Sequence, residues 1–161
     1  MSPAVDDLAY RPACVEDEAT ILGLMRDFYA EEHLVFEETT AQRVVRELFT
    51  HPQFGLILLL ESGARVVGHA TLTFGFSLEF HGRYALLDEL YLIPAVRGRG
   101  WGRRCLDFAT EIARAHGVAT LRLEVSHANT RARAVYLKAG FHDDRRDLFT
   151  QWLLPRPSSR T

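Results

Sequence analysis

Ile21, Leu24, Met25 and Phe28 recur at i, i+3, i+4 and i+7. That spacing collects apolar side chains on one helix face, so it predicts an amphipathic first helix, which follows a short strand over residues 8–11. Asp17 stands where it can cap that helix. A polar connection, Glu31-Glu32-His33-Leu34, leads to Thr39 and Gln42, whose spacing is that of a capping box ahead of Val44, Val45, Leu48 and Phe49. A second helix is expected there, ending near His51-Pro52.

The period then changes. Residues 56–61 are a continuous apolar run, residues 62–65 read Ser-Gly-Ala-Arg, and β-rich sequence resumes over 66–76, which predicts a hairpin. After a polar loop over 77–83, residues 84–92 form a further strand. Helical periodicity returns with Cys105, Ala109, Ile112 and Ala113, and Gly117 closes that helix in a left-handed cap. Residues 120–125 alternate as a strand. Asn129 caps a short helix carrying Ala132, Val135 and Tyr136 that stops at Gly140, and residues 148–154 are expected as a final strand. The order β-α-α-β-β-β-α-β-α-β is an α/β (α+β) arrangement, a mixed sheet with helices on both faces.

Composition narrows the class. At 161 residues, 47% hydrophobic and 25% charged, with a formal net charge of −2, the chain has the profile of one globular domain. We assign that domain to residues 1–155 and a flexible tail to 156–161, where proline and serine leave nothing to bury. Binding along a nucleic acid normally needs an excess of lysine and arginine, so no nucleic-acid partner is expected. Cys14 and Cys105 are far apart, and Cys105 falls on an inward helical position as a buried thiol. The seven histidines show no metal-ligand spacing, so no metal site is expected. No basic and apolar leader opens the sequence and no apolar run is long enough to span a bilayer, which implies a cytoplasmic protein without a membrane partner.

The run from Leu90 to Gly102 carries the chemistry. An apolar strand breaks at Pro94, turns through Gly98, Gly100 and Gly102, and opens a helix. Alternate glycines let backbone N–H groups approach a ligand, and a helix N-terminus adds unpaired N–H groups and positive dipole, so the segment suits a phosphate. Arg97, Arg99 and Arg103 add positive charge. The spacing is neither the dinucleotide GxGxxG nor a P-loop ending in GK[ST].

Arg97-Gly98-Arg99-Gly100-Trp101-Gly102, read with the later Asn129…Tyr136…Gly140-Phe141 helix, resembles the GNAT superfamily of acyl-CoA N-acyltransferases over nearly the whole domain. The resemblance implies a mainly antiparallel sheet of six to seven strands. It implies acetyl-CoA as co-substrate, with its pyrophosphate on the loop at Arg97, Gly98, Arg99, Gly100, Trp101 and Gly102. Its pantetheine would lie along a bulged, splayed strand at Leu90 and Leu92, and Asn129 would orient it or cap its helix. It further implies direct attack of a primary amine on the acetyl carbon in a ternary complex. Tyr136 would then be the acid that protonates the leaving thiolate, and Asp88 or Glu89 the base that deprotonates the amine. Strand side chains alternate, so one of the two carboxylates is expected to face the cleft, and the sequence leaves open which.

The acceptor side is expected in Glu31-Glu32-His33 and residues 77–81, where carboxylates beside Phe76, Phe80 or Tyr84 suit a cationic amine. The partner is therefore a small-molecule amine or a protein amine. The apolar 148–154 strand can complete the sheet internally or pair across a homodimer. A catalytically silent CoA-binding sensor or interaction module of the same fold is the alternative reading.

Overall fold

A computed structural model describes residues 7–155 of the chain. The elements run β1 (Leu8–Pro12), α1 (Glu18–Glu31), α2 (Glu38–Thr50), β2 (Gly55–Ser62), β3 (Arg65–Ser77), β4 (Gly82–Leu92), α3 (Trp101–Ala115), β5 (Thr120–Leu123) and α4 (Thr130–Lys138). The five strands form one sheet in the order β1-β2-β3-β4-β5. Three neighbouring pairs are antiparallel and β4 with β5 is parallel. A parallel pair needs a crossover, and α3 supplies it.

Alternation along β2 divides the core. Ile57 and Leu59 face Ile21, Leu24 and Met25 of α1 and Ala41 and Val45 of α2. Leu58 and Leu60 face the opposite side, where Trp101, Cys105, Leu106 and Ala109 of α3 pack and Tyr136 of α4 and Ala139 just after it join them. Cys105 is buried as expected, and burial pushes its thiol up to about 12. Among the described residues no helix is long and apolar enough to cross a membrane.

Three expectations are corrected. Among the described residues the sheet has five strands, because residues 148–154 form no strand. This apolar segment is left exposed, and β5 is an open edge. The caps of the first two helices also differ. Asp17 gives its carboxylate to Arg11 and to the backbone N–H of Cys14 rather than to α1. Glu37, not Thr39, caps α2 by accepting from the N–H groups of Thr39 and Thr40, and Gln42 donates to Glu18 instead. A bidentate arginine outcompetes a lone capping bond for a carboxylate. The tail over 156–161 lies outside the described residues.

Candidate active site

The site begins with one extra residue in β4. Leu72 pairs with Leu87 and Thr71 with Glu89, so Asp88 has no partner on β3 and the register slips there. Such a bulge interrupts the two-residue alternation. Leu87 consequently packs on the α3 side, whereas Glu89 and Tyr91 turn to the α1/α2 side. The expectation that only one of Asp88 and Glu89 faces the cleft is overturned, because strict alternation fails at the bulge. Both line a cavity of about 270 Å³ between the sheet and the α1/α2 pair.

Its walls are chemically divided. Met25, Tyr29, Leu48, Phe54 and Ile57 are apolar or aromatic, while Asp88 and Glu89 supply negative charge, and Glu47 lies on α2 at its edge. Glu89 is held from behind: His69, fully buried on β3, places Nε2 at 2.9 Å from Glu89 Oε2. An ionised carboxylate can only accept, so His69 Nε2–H donates. Tyr29 also hydrogen-bonds Glu89, and burial first, then the Glu89 charge, raises the Tyr29 phenol. Asp88 remains exposed to water at the edge of this cavity, and the protein around it partly desolvates its carboxyl. This desolvation, with the neighbouring Glu89 and Glu124 carboxylates, raises its pKa above the ordinary carboxylate range.

On the other edge of β4 the ladder with β5 runs from Tyr84–Thr120 to Leu87–Leu123 and stops. Beyond it β4 continues through Leu90 and Leu92 with no strand on that side among the described residues, so the sheet opens there beside the bulge. The cleft leads to the glycine loop. Gly98 and Gly100 have φ of 77° and 76°, a left-handed backbone that disfavours any Cβ, and an added Cβ on either would meet no described atom within 4 Å. Gly100 is the N-cap of α3 and no side chain caps the helix. Open space over left-handed glycines at an uncapped, 15-residue helix fits an anionic group.

The side chains around this loop differ from the sequence-based expectation. Trp101 is buried in the core at 1% exposure, so only its backbone is available to a ligand. Arg97 is engaged elsewhere: its guanidinium forms a two-point pair with Glu31 at 2.8 Å and donates Nε–H to the carbonyl of Leu92. Arg99 lies over the Trp101 ring, and Arg103 reaches Asp107 and the Lys138 carbonyl. Gly102 lies in the first turn of the helix, and its own Cβ space is also open.

Asn129 caps α4, its Oδ1 accepting from the Ala132 N–H at 3.1 Å. Tyr136 follows two turns later, packed edge-on to Phe141, and burial first, then Glu32, raises its phenol. The expected acceptor residues are not gathered at the carboxylates. Glu79 pairs with Arg146, Phe80 lies 4.1 Å beneath the Arg122 guanidinium, and Phe76 is 70% exposed. Phe80 and Tyr84 instead line a second hollow of about 1040 Å³ that runs along β5 and α4. The residues that do surround Asp88 and Glu89, notably Tyr29 and His69, were missed. A tyrosine on an amphipathic helix and a histidine inside an apolar strand carry no motif, and only the Glu89 pairing identifies them.

The sequence model of the family described as "Acetyltransferase (GNAT) family" matches residues 22–141. A Bos taurus thialysine N-ε-acetyltransferase is 30% identical over 142 residues, covering 83% of each chain. The uncharacterized N-acetyltransferase YhfO of Bacillus subtilis is 32% identical over 89 residues, and the match spans 55% of this chain and 60% of YhfO. Among solved structures, an integron cassette protein from the mobile metagenome of Cole Harbour Salt Marsh superposes with a TM-score of 0.80 at 31% identity, covering 91% of both chains.

Proposed function

The chain belongs to the GNAT acetyltransferase family, and on that premise we propose that it moves the acetyl group of acetyl-CoA to a primary amine by direct attack in a ternary complex. The observation that carries this reading is the bulge at Asp88, which turns two adjacent carboxylates into one partly apolar cavity beside the opening between β4 and β5.

Acetyl-CoA supplies an activated acetyl thioester. The residues suited to hold it are Gly98, Gly100 and the first backbone N–H groups of α3 for the pyrophosphate, with β4 at Leu90 and Leu92, which is laddered to β3 but has no β5 residue opposite it, for the pantetheine arm. For Arg97 to help, it must leave Glu31.

The acceptor enters as an ammonium ion. Glu89, fixed by His69 and Tyr29, pairs with its charge, while Met25, Leu48 and Phe54 cover its alkyl part. Asp88 accepts no hydrogen bond among the described residues, and its raised pKa makes it the better proton acceptor. It takes one N–H proton, and the freed lone pair attacks the acetyl carbon. A backbone N–H of the splayed strand stabilises the oxyanion. As the tetrahedral species collapses, the C–S bond breaks, Tyr136 O–H donates to the departing sulfur, and the second proton shed by the attacking nitrogen returns through water to the Tyr136 phenolate. With its pKa raised, Tyr136 stays protonated throughout the neutral range.

A cavity of about 270 Å³ with an acidic floor and apolar walls suits a slender amine better than a bulky one. The relative named thialysine N-ε-acetyltransferase acts, by that name, on the N-ε amine of thialysine, which supports an amine acceptor. Mixing the full chain with acetyl-CoA and a panel of amines while following free thiol tests the proposal. Thiol release with linear primary amines is expected; acetyl-CoA binding with no thiol release for any amine refutes the proposed reaction.

A further inference from the structure

The acceptor cavity carries more negative charge than one ammonium ion can balance. Asp88 and Glu89 lie on its sheet wall, and Glu47 of α2 stands on the helix wall at its edge. Among the described residues no lysine, arginine or histidine lines it. The ion-pair partner of Glu47 is Arg43, one turn earlier on the same helix at 3.5 Å. Both side chains are at least half exposed, so the pair leaves the Glu47 charge largely available.

A second observation points to a bound cation. Ile57, Thr71 and Glu89 are register partners across β2, β3 and β4, so they form one row on the face that looks toward α1 and α2. Thr71 lines the cavity and is only 8% exposed, yet its hydroxyl has no hydrogen-bond partner among the described residues. Buried polar groups are normally paired, and a hydroxyl oxygen beside a carboxylate is suited to accept from an N–H. An ammonium group has three N–H donors. Glu89, Asp88 and Thr71 can accept all of them, which leaves Glu47 without a part at the reacting end.

Resting on the acetyl-transfer reading above, we propose that Glu47 selects the acceptor by charge. It holds a second cationic group at the edge of the cavity while Asp88, Glu89 and Thr71 receive the reacting ammonium ion. Val44 and Leu48 share the Glu47 face of α2, and with Phe54 they give the stretch between two cations an apolar wall. The acceptor class is therefore a slender α,ω-diamine. The same charges exclude a free amino acid, because its carboxylate would meet the carboxylates of the cavity and no cation to offset them.

Pentane-1,5-diamine, pentylamine and lysine share one carbon chain and differ in the second amine and the carboxylate, so they test the proposal on the full chain, together with their one-carbon-shorter homologues. Thiol release from acetyl-CoA gives KM, and calorimetry in the presence of CoA gives Kd without any need for turnover. The diamine should have KM and Kd roughly tenfold below those of the monoamine and of lysine. Glu47→Gln, a change on the exposed side of a helix, should erase the difference between diamine and monoamine. Equal values for the three acceptors, or a diamine preference that survives in Glu47→Gln, overturns charge selection while leaving acetyl transfer standing. Diamine-selective binding without thiol release refutes acetyl transfer and supports charge selection.

Discussion

His69 Nε2 lies 2.9 Å from Glu89 Oε2, joining a fully buried histidine on β3 to a carboxylate that faces the acceptor cavity. Phe28 and Tyr91 pack against the imidazole, so the ring cannot swing away without a cavity opening around it. Its role is to fix Glu89. Glu89→Gln should therefore raise the KM for the amine by roughly 10- to 100-fold, since a charge-assisted contact is lost, with a smaller effect on kcat. His69→Leu should raise the same KM by about tenfold, and His69→Gln, which can still donate, should recover part of it. Steady-state kinetics with amine as the varied substrate check this. An unchanged KM in both Glu89→Gln and His69→Leu removes the assignment.

Asp88 should separate from Glu89 by affecting kcat. Asp88→Asn removes the proton acceptor, and kcat should fall by about 10²–10⁴-fold while acetyl-CoA binding, measured by calorimetry, is preserved. In the parent chain the acid limb of kcat should lie above the ordinary carboxylate range, because the Asp88 pKa is raised by burial and by Glu89 and Glu124. A limb at the ordinary carboxylate value argues against Asp88.

The same shift makes a stability prediction of opposite sign. A carboxyl whose folded pKa exceeds its unfolded value favours folding when protonated, and that advantage is lost as pH rises through the folded pKa. Ionised Asp88 therefore destabilises the fold at neutral pH. Asp88→Asn should raise Tm at pH 7 by roughly 1–2 °C, discounted for the water that reaches the group, and leave Tm unchanged near pH 3. Thermal melts at the two pH values measure the difference; a lower Tm at pH 7 contradicts it.

How much of this was legible in the sequence depends on the range of the interaction. The glycine loop, the Asn129 cap and the helical stripe of α3 are local patterns, and each is present. The carboxylate pair was legible by position but not by direction, because a bulge at Asp88 depends on the register between β3 and β4, which the β4 sequence alone does not encode. Tyr29 and His69 reach Glu89 across two different elements. Arg97 was read as loop charge, yet Glu31, 66 positions earlier, takes it. The last strand was read from apolar alternation alone, and a strand also needs an edge to pair with.

Gly100 offers a way to perturb the donor side with little effect on the rest. Its φ of 76° makes alanine strained, and the open space above it means no collision with the protein. Gly100→Ala should cost about 1–2 kcal/mol of stability and place a methyl group where the pyrophosphate is proposed to rest. Acetyl-CoA affinity should drop roughly tenfold, the equivalent of about 1.4 kcal/mol, with the amine KM little changed. Denaturant unfolding and calorimetric titration give the two numbers. Unaltered acetyl-CoA affinity would move the pyrophosphate off the loop.

Tyr136→Phe tests the leaving-group side without disturbing packing, since the ring keeps its contact with Phe141 and its place against the α3 core. Only the hydroxyl is removed. Because the phenol is raised by burial and by Glu32, it remains an O–H donor to well above neutral pH, so no alkaline limb from Tyr136 should appear in kcat below about pH 10. The substitution should lower kcat by about 10²–10³-fold while acetyl-CoA binding and Tm stay near parent values. The loss should shrink with a thioester whose thiol has a lower pKa, because such a sulfur leaves without help. Equal losses for both donors would point to a role for the hydroxyl in orienting the donor, and an unchanged kcat would exclude Tyr136 from the reaction.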